Sequence, residues 1–277
     1  MTTADARSHV FLRVGQWCLQ LARDNSLLFW VIENVDGIQK KKRGESESFL
    51  MCFVSEMELG LGEMWRVKVV RTSPDLHGLP HHRPRIFIIG SHLALCQTYT
   101  HRRFLLEPIK QSPSPKITDF LDSEPSDDSD YHSLTENQKV NLHGYLADFA
   151  KMSNKGEVSI GITYVGRGHH LEGFSTIAMD TVATLRTNNH LLWILPSEKW
   201  KSTFGQYGRC LRRDEKARLC GLDPATLTAL SQADLETALG NCIPVHMMAA
   251  VLFPVFRVFA IYAMNLPEET YFDREDF

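Results

Sequence analysis

The sequence predicts an α/β fold with a sheet of parallel strands. Two uninterrupted apolar runs, at residues 27–32 and 86–89, and a strand pattern at residues 65–70 indicate this sheet. Uninterrupted apolar runs are typical of strands that are covered on both faces. A helical pattern at residues 46–59 separates the first two strands, and a strand–helix–strand order predicts parallel pairing.

Composition and charge narrow the class of protein. The chain has 277 residues, of which 43% are hydrophobic and 23% charged, which is ordinary for a globular protein with a large core. Its formal net charge of −3 means that any contact with nucleic acid must come from local basic patches. The six cysteines form no CxxC pair and the histidines show no ligand spacing, so no metal site is expected. Scattered cysteines without a signal peptide predict an intracellular location, the nucleus in a eukaryote and otherwise the cytoplasm.

Three further helical features are predicted. Residues 10–23 should form a helix whose apolar residues recur at helical spacing and form its buried face: Val10, Val14, Trp17 and Leu21. The glycines at residues 60–62 follow the helix of residues 46–59 and are interpreted as its stop, because a phosphate-binding turn needs a strand before it and a helix after it. Residues 247–266 are apolar but are interrupted by Pro254 and Arg257, which predicts a buried helix and no membrane partner.

The middle of the chain predicts an exposed connection and an irregular region. Residues 108–115 are rich in proline and serine, and residues 119–130 are strongly acidic, so an acidic linker is predicted at residues 118–136. Residues 134–152 show helical spacing, and the glycines of residues 161–170 predict a flexible loop. A strand pattern follows at residues 191–195.

The first candidate site precedes the strand of residues 86–89. The segment HGLPHHRPRIFIIG at residues 77–90 joins a Gly-Pro turn to Arg83 and Arg85. Guanidinium groups fixed there can grip an anion or a planar polar ligand, because their fork geometry gives paired hydrogen bonds. The alternative is an ordinary surface edge ahead of a core strand.

The second candidate is Glu33, which follows the apolar run of residues 27–32 where that strand is expected to end. Ligands of open α/β sheets collect at the carboxyl ends of the strands, so an acid at this position is a candidate site residue. The alternative is an ordinary acid in a strand-to-loop connection.

Five segments together resemble the DNA cytosine-5 methyltransferase family. The segment of residues 77–90 resembles its arginine motif, and the sequence ENV at residues 33–35 resembles its glutamate motif. TLRTNN at residues 184–189 is similar to the end of its target-recognition region. RCLRRDEKARLCGLD at residues 209–223 and GNCIPV at residues 240–245 resemble its two closing motifs. The segments occur in family order over nearly the whole chain.

The resemblance implies a partial doubly wound, Rossmann-like S-adenosylmethionine methyltransferase sheet with a smaller inserted target-recognition domain. Residues 1–92 would carry the glutamate and arginine motifs of the catalytic domain, residues 93–205 the target-recognition region, and residues 206–277 the return to the catalytic domain.

The resemblance also implies a reaction. In the family a cysteine thiolate adds to C6 of cytosine, and C5 then takes a methyl group from S-adenosylmethionine. Glu33 matches the glutamate that contacts N3 and the exocyclic amine, Arg85 matches the arginine that contacts the base and holds its loop, and Arg83 is the companion of Arg85.

Ligand contacts follow from the same resemblance. Residues Asn241, Pro244 and Val245 would border the S-adenosylmethionine pocket. The partner would be double-stranded DNA, from which the target base is flipped out. Four residues would contact this DNA: His81, Arg186, Thr187 and Arg209.

The sequence also departs from the family pattern. His81 replaces the glutamine of the arginine motif, and neither a Pro-Cys pair nor the glycine-rich turn for S-adenosylmethionine occurs in the chain. This chain alone is therefore expected to be inactive. Three interpretations stay open: a truncated methyltransferase, a subunit completed by a complementary chain, and a non-catalytic DNA-binding or regulatory relative. A tRNA-methylating member is also possible, although the long insert favours DNA. An exposed apolar sheet edge near residues 27–32 would favour the complementary chain.

Overall fold

The computed structural model describes residues 6–24, 26–41, 43–96, 111–123, 128–153, 160–166, 168–169, 177–187 and 191–264. It divides into two compact units. Unit 1 comprises Met1–Thr72, Pro84–Lys110 and Ala249–Phe277, and unit 2 comprises Ser73–Arg83 and Gln111–Met248. This division follows the contacts within each unit. The functional division at residues 92 and 205 stays a prediction.

Unit 1 contains a sheet in the order β1–β4–β2, formed by β1 (Phe29–Val35), β2 (Trp65–Thr72) and β4 (Arg85–His92). The central strand β4 is antiparallel to both neighbours. Strands β1 and β2 therefore run in the same direction, but the prediction that they pair in parallel is wrong because β4 lies between them. An uninterrupted apolar run indicates that a strand is covered on both faces, as β4 is. It does not indicate the direction in which the strand runs.

Two helices of unit 1 cover one face of this sheet. Helix α1 spans Ala6–Arg23 and helix α2 spans Phe49–Leu61, which confirms both predicted helices. The Ser48 hydroxyl accepts a hydrogen bond from the Met51 amide (3.3 Å) and so begins α2. Gly62 ends it with a φ of 71°, a left-handed conformation that favours glycine, as the predicted helix stop requires.

The predicted buried face of α1 is wrong. Val10, Trp17 and Leu21 are exposed, and only Val14 of the four packs against the core cluster. Helix α1 instead packs against α2 through a flank that contains Gly15. A Cβ atom on Gly15 would lie 2.7 Å from the Phe53 ring of α2, and one on Gly60 would lie 2.7 Å from Leu19. These two glycines let the helices approach closely, so α1 turns the flank with Phe11, Gly15 and Leu19, and not its longest apolar stripe, toward α2.

Unit 2 is built around a second sheet in the order β6–β5–β8–β9, whose neighbouring strands are antiparallel. Its strands are β5 (Ile160–Tyr164), β6 (Ala178–Met179), β8 (Leu192–Pro196) and β9 (Arg209–Cys210). A short pair, β3 (His81–His82) with β7 (Val182–Ala183), is parallel. The predicted strand at residues 191–195 is β8. The predicted flexible loop of residues 161–170 is wrong for residues 161–164, which lie in the fully buried β5.

The helices of unit 2 enclose two apolar clusters. Its described helices are α3 (Ser129–His132), α4 (Glu136–Ser153), α5 (Lys201–Phe204), α6 (Arg213–Leu219) and α7 (Gln232–Asn241). Helix α4 confirms the helical pattern at residues 134–152, and its Tyr145 and Phe149 pack against Trp193 of β8. The other cluster joins Ile162 and Ile194 to the helices α6 and α7.

Part of the predicted acidic linker is packed rather than exposed. Leu121 and Leu134 are buried in unit 2, and Asp122 accepts a hydrogen bond from Arg218 at 2.6 Å. The Asp130 carboxylate accepts one from the Cys210 amide at 3.0 Å. The acids of this segment therefore serve as partners for groups in unit 2. Residues 124–127 lie outside the described residues.

Helix α8 spans Val245–Met264 and has two different faces. Val251, Val255 and Val258 are buried, whereas Phe253, Phe256 and Phe259 are 55%, 51% and 38% exposed. The prediction of a buried helix thus holds for one face only.

One finding bears on membranes. Among the described residues, no single helix has both the length and the apolar composition needed to cross a bilayer, and only α7 taken together with Val245–Ala260 of α8 reaches them.

Gly90 provides a test of the sheet. It pairs with Trp30 across β1 and β4, and a Cβ atom on Gly90 would lie 2.1 Å from the Trp30 ring. We expect Gly90→Ala to lower the free energy of unfolding by about 1–3 kcal/mol or more, because the buried indole must move. The matched control is Gly37→Ala, whose added Cβ would meet nothing nearer than Val35 at 4.0 Å. Urea unfolding of both variants measures the difference, and equal stability would contradict the packing described.

Candidate active site

Two of the three predicted catalytic residues meet in unit 1. The Nε atom of Arg85 lies 2.8 Å from Oε1 of Glu33 in a salt bridge, and the two side chains are 11% and 28% exposed. Arg85 is the first residue of β4 and pairs with Val35, whereas Glu33 pairs with Phe87. The salt bridge is therefore a diagonal contact across the antiparallel ladder. Glu33 lies within β1, two residues before its end, and not after the strand as the sequence predicted.

A second ion pair lies at the same end of this sheet. Nε of Arg71, in β2, contacts Oδ1 of Asp36, just after β1, at 2.5 Å. The hydrogen bond from Arg71 holds the pKa of Asp36 below its ordinary value. Sequence reasoning missed this pair, although an acid directly after β1 and an arginine near the carboxyl end of β2 were visible signals.

Arg83 has a different environment, inside unit 2. Its side chain is buried and donates from Nη1 to the Leu185 carbonyl (2.9 Å) and from Nη2 to the Gly240 carbonyl (2.6 Å). Its amide donates to the Ser73 hydroxyl at 3.0 Å. Arg83 thus joins the arginine motif to the segments TLRTNN and GNCIPV. We assign it a positioning role, because its guanidinium is engaged with backbone carbonyls.

Gly240 is required at this junction. A Cβ atom there would lie 2.4 Å from the Thr187 backbone nitrogen and 2.6 Å from the Arg186 carbonyl carbon. Backbone atoms cannot move aside as a flexible side chain can, so only glycine lets α7 approach the segment of Arg186 and Thr187. Close backbone packing within unit 2 therefore requires glycine at the first position of GNCIPV.

The predicted cofactor residues lie where α7 ends and α8 begins. Asn241 is exposed, Pro244 is buried and accepts a hydrogen bond from the Met248 amide (3.0 Å), and Val245 is 43% exposed. The Val245 amide donates to the Cys220 carbonyl at 3.0 Å, which fixes the loop against α6. The Asn241 amide and the Val245 side chain remain accessible.

Two of the predicted DNA-contacting residues are on the surface of unit 2. Arg186 and Thr187 are exposed, and the Arg186 guanidinium lies 5.5 Å from the centroid of the Tyr164 ring. The Tyr164 hydroxyl donates to the Thr184 carbonyl at 2.7 Å, and burial raises the pKa of this tyrosine to about 12. Tyr164 therefore stays neutral, and the Arg186 guanidinium packs over its ring.

The prediction that His81 and Arg209 contact DNA is wrong, because both side chains are buried. His81 is fully buried in β3. The Arg209 side chain is 2% exposed and contacts the wholly buried Glu215 carboxylate at 2.5 and 2.9 Å. Its Nη2 also donates to the Asp122 carbonyl at 2.9 Å. Neither side chain presents its polar atoms to a ligand outside unit 2.

The other charges of the segment at residues 209–223 are also partners within unit 2. Lys216 forms an ion pair with Glu236 of α7, and Arg213 donates to the carbonyls of Leu227 and Leu230. Sequence reasoning missed this structural role, because basic residues of a motif look the same in the sequence whether they are buried or exposed.

Unit 2 also contains a cavity that no sequence motif indicated. It has a volume of about 1130 Å³ and lies beside Trp200 and Tyr207. Its lining includes three lysines (Lys116, Lys199 and Lys201) and three acids (Asp119, Asp180 and Glu198). Because these charges balance, the cavity is not a site for a polyanion. Within the described ranges no group of three or more His, Cys, Asp or Glu side chains could hold a metal ion.

Comparison with solved structures shows a fold similar to that of a DNMT2. A mutant of DNMT2 from Spodoptera frugiperda is 15% identical with a TM-score of 0.52, and the match covers 92% of this chain and 74% of that one. Dnmt2 methyltransferase of S. pombe is 17% identical with a TM-score of 0.48, covering 96% and 74%. Methyltransferase EhMeth of Entamoeba histolytica is 16% identical with a TM-score of 0.45, covering 88% and 69%.

The family follows from the sequence profile. The profile of the C-5 cytosine-specific DNA methylases matches residues 18–256, so the chain belongs to that family. The search of curated proteins gave no match.

Measurements of the free energy of unfolding test the buried ion pair of Arg209 and Glu215. Glu215→Gln should lower the free energy of unfolding by about 3–5 kcal/mol, because it leaves the Arg209 charge uncompensated in the interior. Arg71→Gln removes one partner of the exposed pair with Asp36 and should change stability much less. Urea unfolding followed by circular dichroism measures both. Similar small effects would contradict the interior role of Arg209.

Proposed function

We propose that this chain contributes the cytosine-binding part of a DNA cytosine-5 methyltransferase. The observation that carries the proposal is the salt bridge of Glu33 with Arg85 at 2.8 Å, formed by the two residues that match the family's glutamate and arginine positions. Both side chains are anchored on paired strands, so the carboxylate is held in one orientation and is still partly accessible to a ligand.

Glu33 has the chemistry that the cytosine edge needs. A carboxylate oxygen can accept a hydrogen bond from the exocyclic amine, and a protonated oxygen can donate one to N3. Addition of a nucleophile to C6 increases the electron density on the ring, and a donor at N3 stabilises that charge as it develops. Arg85 orients the carboxylate through Oε1, so it keeps Glu33 in place for both contacts.

The nucleophile is proposed to come from another polypeptide segment. The chain holds no Pro-Cys pair, and several of its cysteines are poorly suited to act as thiolates. Burial raises the pKa of Cys18 and raises that of Cys210 to about 11. Contact with Cys242 and burial raise the pKa of Cys220 further. Thiols of this kind are protonated at neutral pH.

Asn241, Pro244 and Val245 are proposed to form one wall of the cofactor site. S-adenosylmethionine supplies an electrophilic methyl group when it is bound. The exposed Asn241 amide can hydrogen-bond a polar group of such a ligand, and the half-exposed Val245 can pack against an apolar one. Pro244 directly precedes α8, and its carbonyl accepts a hydrogen bond from the Met248 amide, which fixes the loop that presents both.

Double-stranded DNA is the proposed substrate. Arg186 and Thr187 are exposed in unit 2 and can donate to phosphate oxygens, which position a duplex without reading its sequence. The target cytosine must leave the helix to reach a carboxylate, at a cost of a few kcal/mol.

The test is Glu33→Ala in a complex that supplies the Pro-Cys segment. Methyl transfer to duplex DNA should fall about 100- to 1000-fold, because a hydrogen-bonding group for the reacting base is lost. DNA binding should be almost unchanged, because phosphate contacts lie elsewhere. The measurements are incorporation of radiolabelled methyl groups and fluorescence anisotropy with a labelled duplex.

The matched control is Asp36→Asn, which alters the neighbouring ion-paired carboxylate and should retain most of the activity. Equal losses of methyl transfer and DNA binding in Glu33→Ala would sink the role assigned to Glu33. A tRNA acceptor is tested in parallel, and methylation of tRNA instead of duplex DNA would contradict the proposed substrate.

A further inference from the structure

Two cysteines of unit 2 are in contact, although they are far apart in the sequence. Cys220 directly follows α6, and Cys242 directly follows α7. A hydrogen bond joins their side chains, so one sulfur lies beside the other. Both cysteines are reduced, and both pack in the apolar cluster that contains Leu235 and Leu239. Such a pair can fill the core, since a thiol packs like a small apolar group, or it can form a disulfide.

Backbone contacts hold the two cysteines together. The Val245 amide donates to the Cys220 carbonyl at 3.0 Å, and the Cys242 amide donates to the Ala238 carbonyl at 2.7 Å. A Cβ atom on Gly221 would lie 3.4 Å from the Val245 Cβ atom. The segment that follows α7 is therefore held against the end of α6. A disulfide needs such an approach, because its two Cα atoms must lie within about 7 Å of each other.

The two thiols differ in their access to solvent. The Cys220 side chain is wholly buried, whereas Cys242 is partly exposed. The Cys242 thiol also donates to the Leu239 carbonyl at 3.3 Å. The contact with Cys242 and burial raise the pKa of Cys220, so this thiol is protonated at neutral pH. A small oxidant can therefore reach Cys242 first, and Cys220 lies behind it as the second thiol.

We propose that Cys220 and Cys242 form a reversible disulfide site that a hydroperoxide oxidises. With hydrogen peroxide, the Cys242 sulfur attacks one peroxide oxygen, the O–O bond breaks and one water leaves, so Cys242 becomes a sulfenic acid. The Cys220 sulfur then attacks the Cys242 sulfur, the S–O bond breaks, and the hydroxyl leaves with the Cys220 proton as a second water. Two electrons thus pass from the thiols to the peroxide, and an external dithiol reverses the reaction.

The disulfide would move the loop that carries the predicted cofactor residues. A disulfide holds its two sulfurs about 2.05 Å apart, which is closer than two thiols in contact. Cys242 lies between Asn241 and Pro244 in the sequence, so the bond draws this loop toward the end of α6. The shifted loop presents Asn241 and Val245 differently and should bind the cofactor less well. This consequence rests on the proposed function, whereas the disulfide site itself does not.

The experiment treats the full chain with hydrogen peroxide, alkylates the remaining thiols and maps unreduced peptides by mass spectrometry. The protease must cleave at acidic residues, because Asp234 and Glu236 separate the two cysteines in the sequence. We expect oxidation over minutes to hours, since the thiolate is the reactive form and Cys220 is protonated. The expected product is a peptide pair that joins Cys220 to Cys242 and separates in dithiothreitol. Absence of this pair, or conversion of Cys242 to a sulfinic acid while Cys220 stays reduced, would overturn the proposal.

Three variants assign the bond to these two sulfurs. Cys220→Ala and Cys242→Ala should each abolish the cross-link. The matched control is Cys210→Ala, which removes another partly buried cysteine of unit 2 and should retain it. Thermal melts in dithiothreitol check that all three variants fold. A peroxide-induced cross-link to Cys220 that survives in Cys242→Ala, or one that is lost in Cys210→Ala, would contradict the assigned pair.

A last measurement separates the disulfide site from the proposed function. Binding of S-adenosylmethionine is measured by calorimetry before and after oxidation, in the complex that supplies the Pro-Cys segment. We expect oxidation to weaken binding on the order of tenfold, because the residues of the cofactor wall are displaced. Cys220→Ala is the control and should bind equally before and after peroxide. A cross-link that leaves cofactor binding unchanged would support the disulfide site and contradict the proposed cofactor wall.

Discussion

The ladder between β1 and β4 is the interaction on which the candidate site depends. Its register pairs Val35 with Arg85 and Glu33 with Phe87, so the Arg85 side chain reaches Glu33 on the same face of the sheet. A slip of one residue would turn every side chain of β4 to the opposite face and break the salt bridge. At the other end of the ladder, the Trp30 ring fills the space beside Gly90. One close glycine contact thus helps to fix the register that places a carboxylate and an arginine together.

In unit 2, buried arginines hold separate segments of the chain together. Arg83 and Arg209 are buried, and each donates several hydrogen bonds to carbonyl or carboxylate oxygens within the unit. Buried charges of this kind add little net stability compared with apolar groups, but removing one partner is costly. The two arginines therefore specify how the segments of unit 2 meet. The side chains left for ligands are the exposed ones, Arg186 and Asn241 among them.

Sequence patterns predicted the elements better than their arrangement. The α/β class, the helices α1 and α2 and the central strand β4 followed from periodicity. The antiparallel direction of β4 did not, because an apolar run has no direction. The buried face of α1 was wrong because Gly15 and Gly60 decide the helix contact, and a periodicity count gives glycines no weight.

The site was predictable in its residues and not in its contacts. Glu33 and Arg85 were singled out by motif, but their salt bridge depends on the pairing of strands far apart in the sequence. His81 and Arg209 were misjudged because nothing in a motif separates a buried polar residue from an exposed one. His81 is buried because it lies in β3, and Arg209 is buried because it pairs with the interior Glu215 carboxylate.

The central claim is that this chain provides the groups that hold the cytosine but not the thiolate that attacks it. Covalent trapping tests the claim most directly. The chain is incubated with S-adenosylmethionine and a duplex that contains 5-fluorocytosine, with and without the Pro-Cys segment, and adducts are resolved on a denaturing gel. The account predicts an adduct only when that segment is present, and on that segment. An adduct formed by the chain alone would contradict it, and peptide mass analysis would then name the cysteine.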